Sequence, residues 1–330
     1  MPERNLNYNP ELITAIKAVE KASSLCKAVQ ANLVSEESMQ KKDKSPVTVA
    51  DFGAQAIVIH ELKKSFPDDP IVAEEDAKEL GKDPLLERIV KHLESHLPGL
   101  SEEQIISTIN MGGHKGGKEG RFWTLDPIDG TKGFLRKDQY AVALALIDNG
   151  EVVLGVLGCP NLSVDSYDSD PNKGTLLYAV KGQGAFMKSI DGTDETAVTV
   201  SKVNSTSEAN FCESVESGHS SHDASAKIAE ILNVTAETVR IDSQCKYGVL
   251  ARGEASIYLR LPTRKDYEEK IWDHAAGYIV VKEAGGEVTD CNGNKLDFSL
   301  GRTLKNNKGI VGTNGKIHNE VINAVKQILN

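Results

Sequence analysis

A chain of 330 residues, 39% of them hydrophobic, can bury a large core and reads as a globular protein of one large or two fused domains. Its formal net charge of −10 argues against general affinity for nucleic acid or an anionic membrane, since both reward clustered Lys and Arg. Five scattered cysteines, a start (Met1-Pro2-Glu3-Arg4-Asn5-Leu6) without an apolar signal core and no run near ~18 apolar residues fit neither a disulfide framework nor a membrane span, so a cytoplasmic monomer is expected.

The first predicted element is a long amphipathic helix after Pro10, with Leu12, Ile16, Val19, Ser23, Cys26, Gln30 and Leu33 at helical spacing. Ser45 to Asp51 then reads as a short extended piece that brings Asp51 to the start of a second helix through Ile57, Ile59 and Leu62, ending before Pro67. Asp51 at that point suits a helix N-cap. Ile71-Val72-Ala73 predicts a buried strand that ends in Glu74-Glu75-Asp76. Adjacent acids repel and usually sit in a solvated loop, although a shared cation at a strand end would relieve the repulsion.

Helices are predicted over 85–97 and from Ser101, where Gln104 completes a capping box. A glycine-rich loop follows. Its Gly112-Gly113-His114-Lys115-Gly116-Gly117-Lys118-Glu119 approaches a P-loop, but Glu119 replaces the Mg²⁺-binding Ser or Thr and a helix precedes it, which excludes a nucleoside-triphosphatase reading. The loop reads as solvated and basic, or as a flap carrying Lys115 or Lys118.

From Phe122 the chain turns β-rich, with strands over 140–147 and 151–158 around the turn Asp148-Asn149-Gly150. Short strands continue to Val200, and Gly182-Gln183-Gly184 lacks the third glycine of a dinucleotide fingerprint, so it reads as a turn. A second, α/β domain is expected from about residue 205: strand near Phe211, helix 222–232, strand 239–241, helix 246–252, strand 256–261, a helix headed by Trp272, strands near Val288 and Ile310, and a last helix from His318. The expected division is 1–205 (α+β) and 206–330 (α/β).

Chemistry concentrates in Asp126-Pro127-Ile128-Asp129-Gly130-Thr131. Two carboxylates three residues apart across a proline make an acceptor-only cradle for divalent cations. Gly130 permits close backbone approach, and the nearby amides and Thr131 hydroxyl can face an anion. Asp-Pro and Asp-Gly are also ordinary turn signals. In Trp272-Asp273-His274-Ala275-Ala276-Gly277, Asp273 reads as a first-turn helix carboxylate, a place the helix dipole alone would favour. Together Glu74, Asp126, Asp129 and Asp273 supply four carboxylates from three segments, the composition of a hard-cation site for two or more Mg²⁺. No Cys-x-x-Cys or His-Glu-x-x-His occurs, which disfavours zinc.

Glu74-Glu75, Asp126 to Thr131 and Trp272 to Gly277, in this order, resemble the hallmarks of the lithium-sensitive, Mg²⁺-dependent phosphatase superfamily that includes inositol monophosphatase. Ser45 to Asp51, Lys132 to Arg136, Gly218 to His222, Asp242 to Tyr247 and Glu269 to His274 are similar to its 3′(2′),5′-bisphosphate nucleotidase branch in fungi and plants. The resemblance covers nearly the whole chain and implies a layered αβαβα sandwich. It implies hydrolysis of adenosine 3′,5′-bisphosphate to AMP and phosphate, and admits the 3′-phosphosulfate form.

By the same resemblance Glu74, Asp126 and the Ile128 carbonyl bind one Mg²⁺, and Asp126, Asp129 and Asp273 another, with a third, weaker ion allowed near Glu74. Asp51 and Thr131 are implied as the pair that orients the attacking water, and Gly130 and Thr131 as neighbours of the scissile phosphate. His219, Ser243, Lys246 and Arg260 are implied for the nucleotide and its 5′-phosphate. On the residues alone His219 could be an ordinary surface or core histidine, and Arg260 the exposed face of a strand. Inhibition by Li⁺ is implied too. Departures fall in the 99–120 region and at Cys245, a buried thiol or a redox-sensitive neighbour of the nucleotide. Two rival readings are an inositol polyphosphate 1-phosphatase, alone or with dual specificity, and a nucleotide sensor without turnover.

Overall fold

A computed structural model describes residues 7–32, 38–40, 46–80, 84–170, 174–215, 222–264 and 266–329. The chain opens with α1 (Asn9–Ala31), the short strands β1 (Ser38–Gln40) and β2 (Pro46–Thr48), and α2 (Val49–Ser65). There follow β3 (Ile71–Ala73), α3 (Pro84–Leu93), α4 (Glu102–Asn110), β4 (Arg121–Asp129), α5 (Thr131–Arg136), β5 (Ala141–Asp148) and β6 (Glu151–Cys159). Next come β7 (Thr175–Val180), β8 (Ala185–Ser189), β9 (Thr196–Val198), β10 (Phe211–Glu213), α6 (His222–Leu232), β11 (Val239–Arg240), α7 (Cys245–Ala251) and β12 (Ile257–Arg260). Helix α8 (Ala275–Glu283), β13 (Glu287–Thr289), β14 (Ile310–Thr313) and α9 (His318–Leu329) complete it.

Strands β3 to β9 form a seven-stranded sheet in chain order, parallel between β3 and β4 and antiparallel beyond. A five-stranded sheet has the order β11-β10-β12-β14-β13. The period of two along each strand sorts the larger sheet's side chains onto two faces. Trp123, Leu125, Leu144 and Leu146 meet α1 and α2, while Phe122, Ala143, Ala145 and Ile147 join the core containing α7 and α8. That second core also takes Tyr258, Val288 and Ile310 from the smaller sheet, whose other face packs Phe211, Ile257 and Val311 on α6 and α9. The result is an α/β sandwich of five layers, αβαβα. Its middle helices pack tightly: a Cβ on Gly155 of β6 would stand 2.5 Å from Ile279 Cγ2 of α8, so the strand must be bare there.

Three local expectations change. Thr48, not Asp51, caps α2; Asp51 is the third residue of a reciprocal capping box, its own carboxylate returning to the Thr48 N–H at 2.8 Å. Helix α3 ends at Leu93 rather than 97. Asp273 lies in a turn ahead of α8, whose N-cap is His274, because the Trp272 carbonyl is directed at Gln244 Nε2 at 2.9 Å.

Candidate active site

Strand β4 presents the first two carboxylates through an irregularity. Asp126 pairs with Ala143 and Asp129 with Ala141, three residues against two, because Pro127 offers no N–H to the ladder. Gly130 then turns with φ of 87°, and a Cβ there would lie 2.9 Å from Ser243 Cβ, so this position needs glycine for conformation and for space. Thr131 starts α5, and its Oγ1 stands 3.4 Å from Asp51 Oδ1 and 3.2 Å from the Ile128 carbonyl. Because the other Asp51 oxygen accepts from Thr48 N and Thr48 Oγ1, the carboxylate is held facing Thr131.

Glu74 follows β3 and donates its N–H to Leu125 at 3.2 Å, which puts it beside Asp126. Asp129 accepts from Gln244 N at 2.6 Å, while the Gln244 side chain donates to Trp272 O at 2.9 Å and accepts from Gly277 N at 3.0 Å. One buried glutamine thereby ties Asp129 to the turn that carries Asp273. Its place in Asp242-Ser243-Gln244 was legible, but its role as a tie was not, since both partners are remote in sequence.

Glu74, Asp126, Asp129 and Asp273 line one cavity of about 920 Å³, together with Ile128, Gly130, Thr131, Ser243, Lys246 and Arg260. Burial, with the charges of Glu74, Asp129, Asp273 and Asp51, pushes the Asp126 carboxyl well above its ordinary range. Burial raises Asp129 against the pull of Lys246 and Arg260, and lifts Asp273 to about 7 against Arg260. Asp126 Oδ1 is buried without a hydrogen-bond partner among the described residues. An oxygen-only donor set, mutually repelling, with one acceptor unsatisfied, fits hard divalent cations.

Two cations adjoin these carboxylates in the same cavity. Lys246 is buried 5.6 Å from the Tyr258 ring centroid, and burial drives its pKa down. Arg260 Nη2 bridges Glu269 at 2.9 Å and Asp273 at 3.3 Å. Glu269 also meets His274 Nε2 at 3.1 Å, and His274 Nδ1 meets the Tyr247 hydroxyl at 2.8 Å. Although Glu269, Asp273 and His274 cluster closely enough to hold an ion, the guanidinium already supplies the cation there. Glu269 escaped sequence reasoning, which had no means of pairing it with Arg260. Ser243 adopts φ of 65°, unusual for a residue with a side chain, and its Oγ accepts from Cys245 N at 3.2 Å.

His219 lies outside the described residues. Lys132 lines the cavity, while Lys115 and Lys118 are absent from its wall, in keeping with the solvated reading of their loop. Cys245 is buried, donating to the Tyr140 carbonyl at 3.4 Å, a packing role.

The profile of the Inositol monophosphatase family matches residues 8–330, and the chain belongs to that family, whose members are generally Mg²⁺-dependent. It is 48% identical to a 3′(2′),5′-bisphosphate nucleotidase of Oryza sativa, over 98% of this chain and 95% of that one. Identity is 45% to the protein of the same name from Schizosaccharomyces pombe, over 98% and 97%, and 44% to that of Emericella nidulans, over 98% and 99%. Among solved structures, an IMPase of Thermotoga maritima aligns with a TM-score of 0.66 at 26% identity, over 97% of this chain and 98% of that one. The suhB protein of Bartonella henselae has the same TM-score of 0.66 at 22% identity, over 97% and 99%, a likeness of fold.

Proposed function

We propose that this chain is a Mg²⁺-dependent phosphatase that removes the 3′-phosphate of adenosine 3′,5′-bisphosphate, giving AMP and phosphate, and that it also admits the 3′-phosphosulfate form. The carrying observation is a single cavity that brings four carboxylates together with the cations Lys246 and Arg260, suited to a substrate bearing two phosphates. The nucleotidase relatives, at 44–48% identity, support the nucleotide over an inositol bisphosphate.

Glu74, Asp126 and the Ile128 carbonyl would hold one Mg²⁺, and Asp126, Asp129 and Asp273 a second, with a third near Glu74. When bound, the cations supply Lewis acidity, making water a nucleophile at neutral pH and offsetting charge on the departing oxygen. Asp51 accepts the Thr131 hydroxyl proton, leaving Thr131 Oγ1 to accept from the attacking water and aim it at phosphorus. The new P–O bond replaces that to the ribose 3′-oxygen, which leaves as the alkoxide and takes a proton from solvent water, while the attacking water's proton passes by way of Thr131 to Asp51. Gly130 and Thr131 amides face the phosphate. Lys246 and Arg260 hold the 5′-phosphate by charge-assisted bonds, and Ser243 and His219 serve the base or sugar. Residues 1–205 thus carry most metal ligands, and 206–330 the nucleotide wall and Asp273. Li⁺ should inhibit by taking the place of the second Mg²⁺.

We further infer a cytoplasmic monomer without nucleic-acid or membrane partners, the absence of such partners being supported by the net charge of −10; among the described residues no helix is long and apolar enough to cross a membrane. The test is product analysis: adenosine 3′,5′-bisphosphate should give 5′-AMP, and Lys246→Met should raise its KM roughly tenfold or more while sparing adenosine 3′-phosphate. Release of 3′-AMP would contradict cleavage at the 3′ position, and equal effects on both substrates would remove Lys246 from the 5′-phosphate.

A further inference from the structure

Arg302 lies outside the cavity, yet it joins two of the segments that furnish the carboxylates. Its guanidinium donates to the Ala73 carbonyl at 2.6 Å and to the His114 carbonyl at 3.0 Å, with the Gly112 carbonyl at 3.5 Å. The same group stacks 4.7 Å from the centroid of the Trp272 ring. Its backbone carbonyl accepts the Ile271 N–H at 3.2 Å, and the next residue, Thr303, bridges Lys270. Ala73 immediately precedes Glu74, and Trp272 immediately precedes Asp273.

The other connections of the site make clear what this side chain adds. Glu74 is fixed to the strand of Asp126 by β3–β4 pairing and its own N–H. Gln244 ties Asp129 to the Trp272 carbonyl. Arg302 closes the remaining gap, from the end of β3 to the Asp273 turn. A planar fork can serve several carbonyls while its face covers an indole, which the single ammonium of lysine cannot do.

We propose that Arg302 is a positioning residue for the cation site, holding Glu74 and Asp273 in mutual register; the inference rests on the Mg²⁺ reading above. Groups that orient ligands from behind typically change metal affinity by roughly 10–100-fold when removed. The contacts of the Arg302 side chain include neither Lys246 nor the Asp51–Thr131 pair, so its loss should act on the metal rather than on the nucleotide.

The test is calorimetric titration of the full chain with Mg²⁺, without substrate, alongside thermal unfolding in chelator, for wild type, Arg302→Met, Arg302→Lys and Asp126→Ala. Arg302→Met is expected to weaken Mg²⁺ binding about tenfold or more, with Arg302→Lys intermediate and KM for the bisphosphate at saturating Mg²⁺ unchanged. Wild-type Mg²⁺ affinity in a folded Arg302→Met protein overturns the positioning role, and if that variant does not fold, wild-type affinity in Arg302→Lys does the same. Loss of binding in Asp126→Ala alone leaves the metal reading intact and removes only Arg302 from it. A wild type that takes up no Mg²⁺ defeats the metal reading itself, and this inference with it.

Discussion

Asp51 serves two structures at once. One oxygen completes the cap of α2 through Thr48, and the other faces Thr131 Oγ1 at 3.4 Å. A helix cap and a contact with Thr131 are therefore compatible in one carboxylate. Thr131 is the cleaner probe because it caps nothing. Thr131→Val should lower kcat by about 10²–10⁴-fold with Mg²⁺ affinity and unfolding temperature unchanged, and a rate near wild type would remove Thr131 from the proton route. At this scale Asp126, Asp129, Gly130 and Thr131, which line one cavity, are legible as candidates because one short segment carries them. Glu269, Gln244 and Arg302 are not, since their work is to connect residues brought together by folding.

At the scale of elements, the capping box shapes the site as well as the helix. Thr48→Ala should cost about 1 kcal/mol of stability and also reduce kcat, since it frees the Asp51 carboxylate to turn; Thr48→Ser should recover both, as read by denaturant unfolding and initial rates. A stability loss without any rate change would mean that the cap and the site are independent. Hairpins such as β5–β6 were readable because Asn149 and Gly150 tolerate the positive φ of 49° and 79° that this turn demands. The start of α8 was misread because a long-range bond from Gln244 to Trp272, invisible in local pattern, keeps Asp273 out of the helix.

For the molecule as a whole, α8 packs against β5, β6 and β7, so the turn that carries Asp273 and the strands around Asp126 share one core. Many of the elements are readable from local strand and helix patterns; which faces share the middle layer is not, because hydrophobic periodicity does not name the partner face. The cluster also sets a pH dependence. Burial raises the Asp273 carboxyl from 3.8 to about 7, and such a group stabilises the fold below its unfolded value and ceases to as pH rises through the folded one. Glu269 runs the other way: burial opposes its charge, but Arg260 and His274 win and bring it from 4.5 to about 2, so its contribution holds above 4.5 and is lost as pH falls toward 2. Metal-free protein should therefore be most stable in the mildly acidic range and lose stability toward neutrality. Mg²⁺ at about 100 times its Kd should add ~2.7 kcal/mol, about 4 °C in unfolding temperature for a chain of this length, and a fixed Mg²⁺ concentration should add more at about pH 8 than at about pH 6 because cations compete with protons for the carboxylates. Unfolding insensitive to Mg²⁺ at every pH would argue that these carboxylates hold no cation.

The most direct measurement is Mg²⁺-dependent phosphate release from adenosine 3′,5′-bisphosphate beside inositol 1,4-bisphosphate, with wild type and Asp126→Ala. The account predicts rapid turnover of the nucleotide, little of the inositol compound, and none of either once Asp126 is replaced. Turnover of the inositol compound alone, or nucleotide turnover that survives Asp126→Ala, would contradict it.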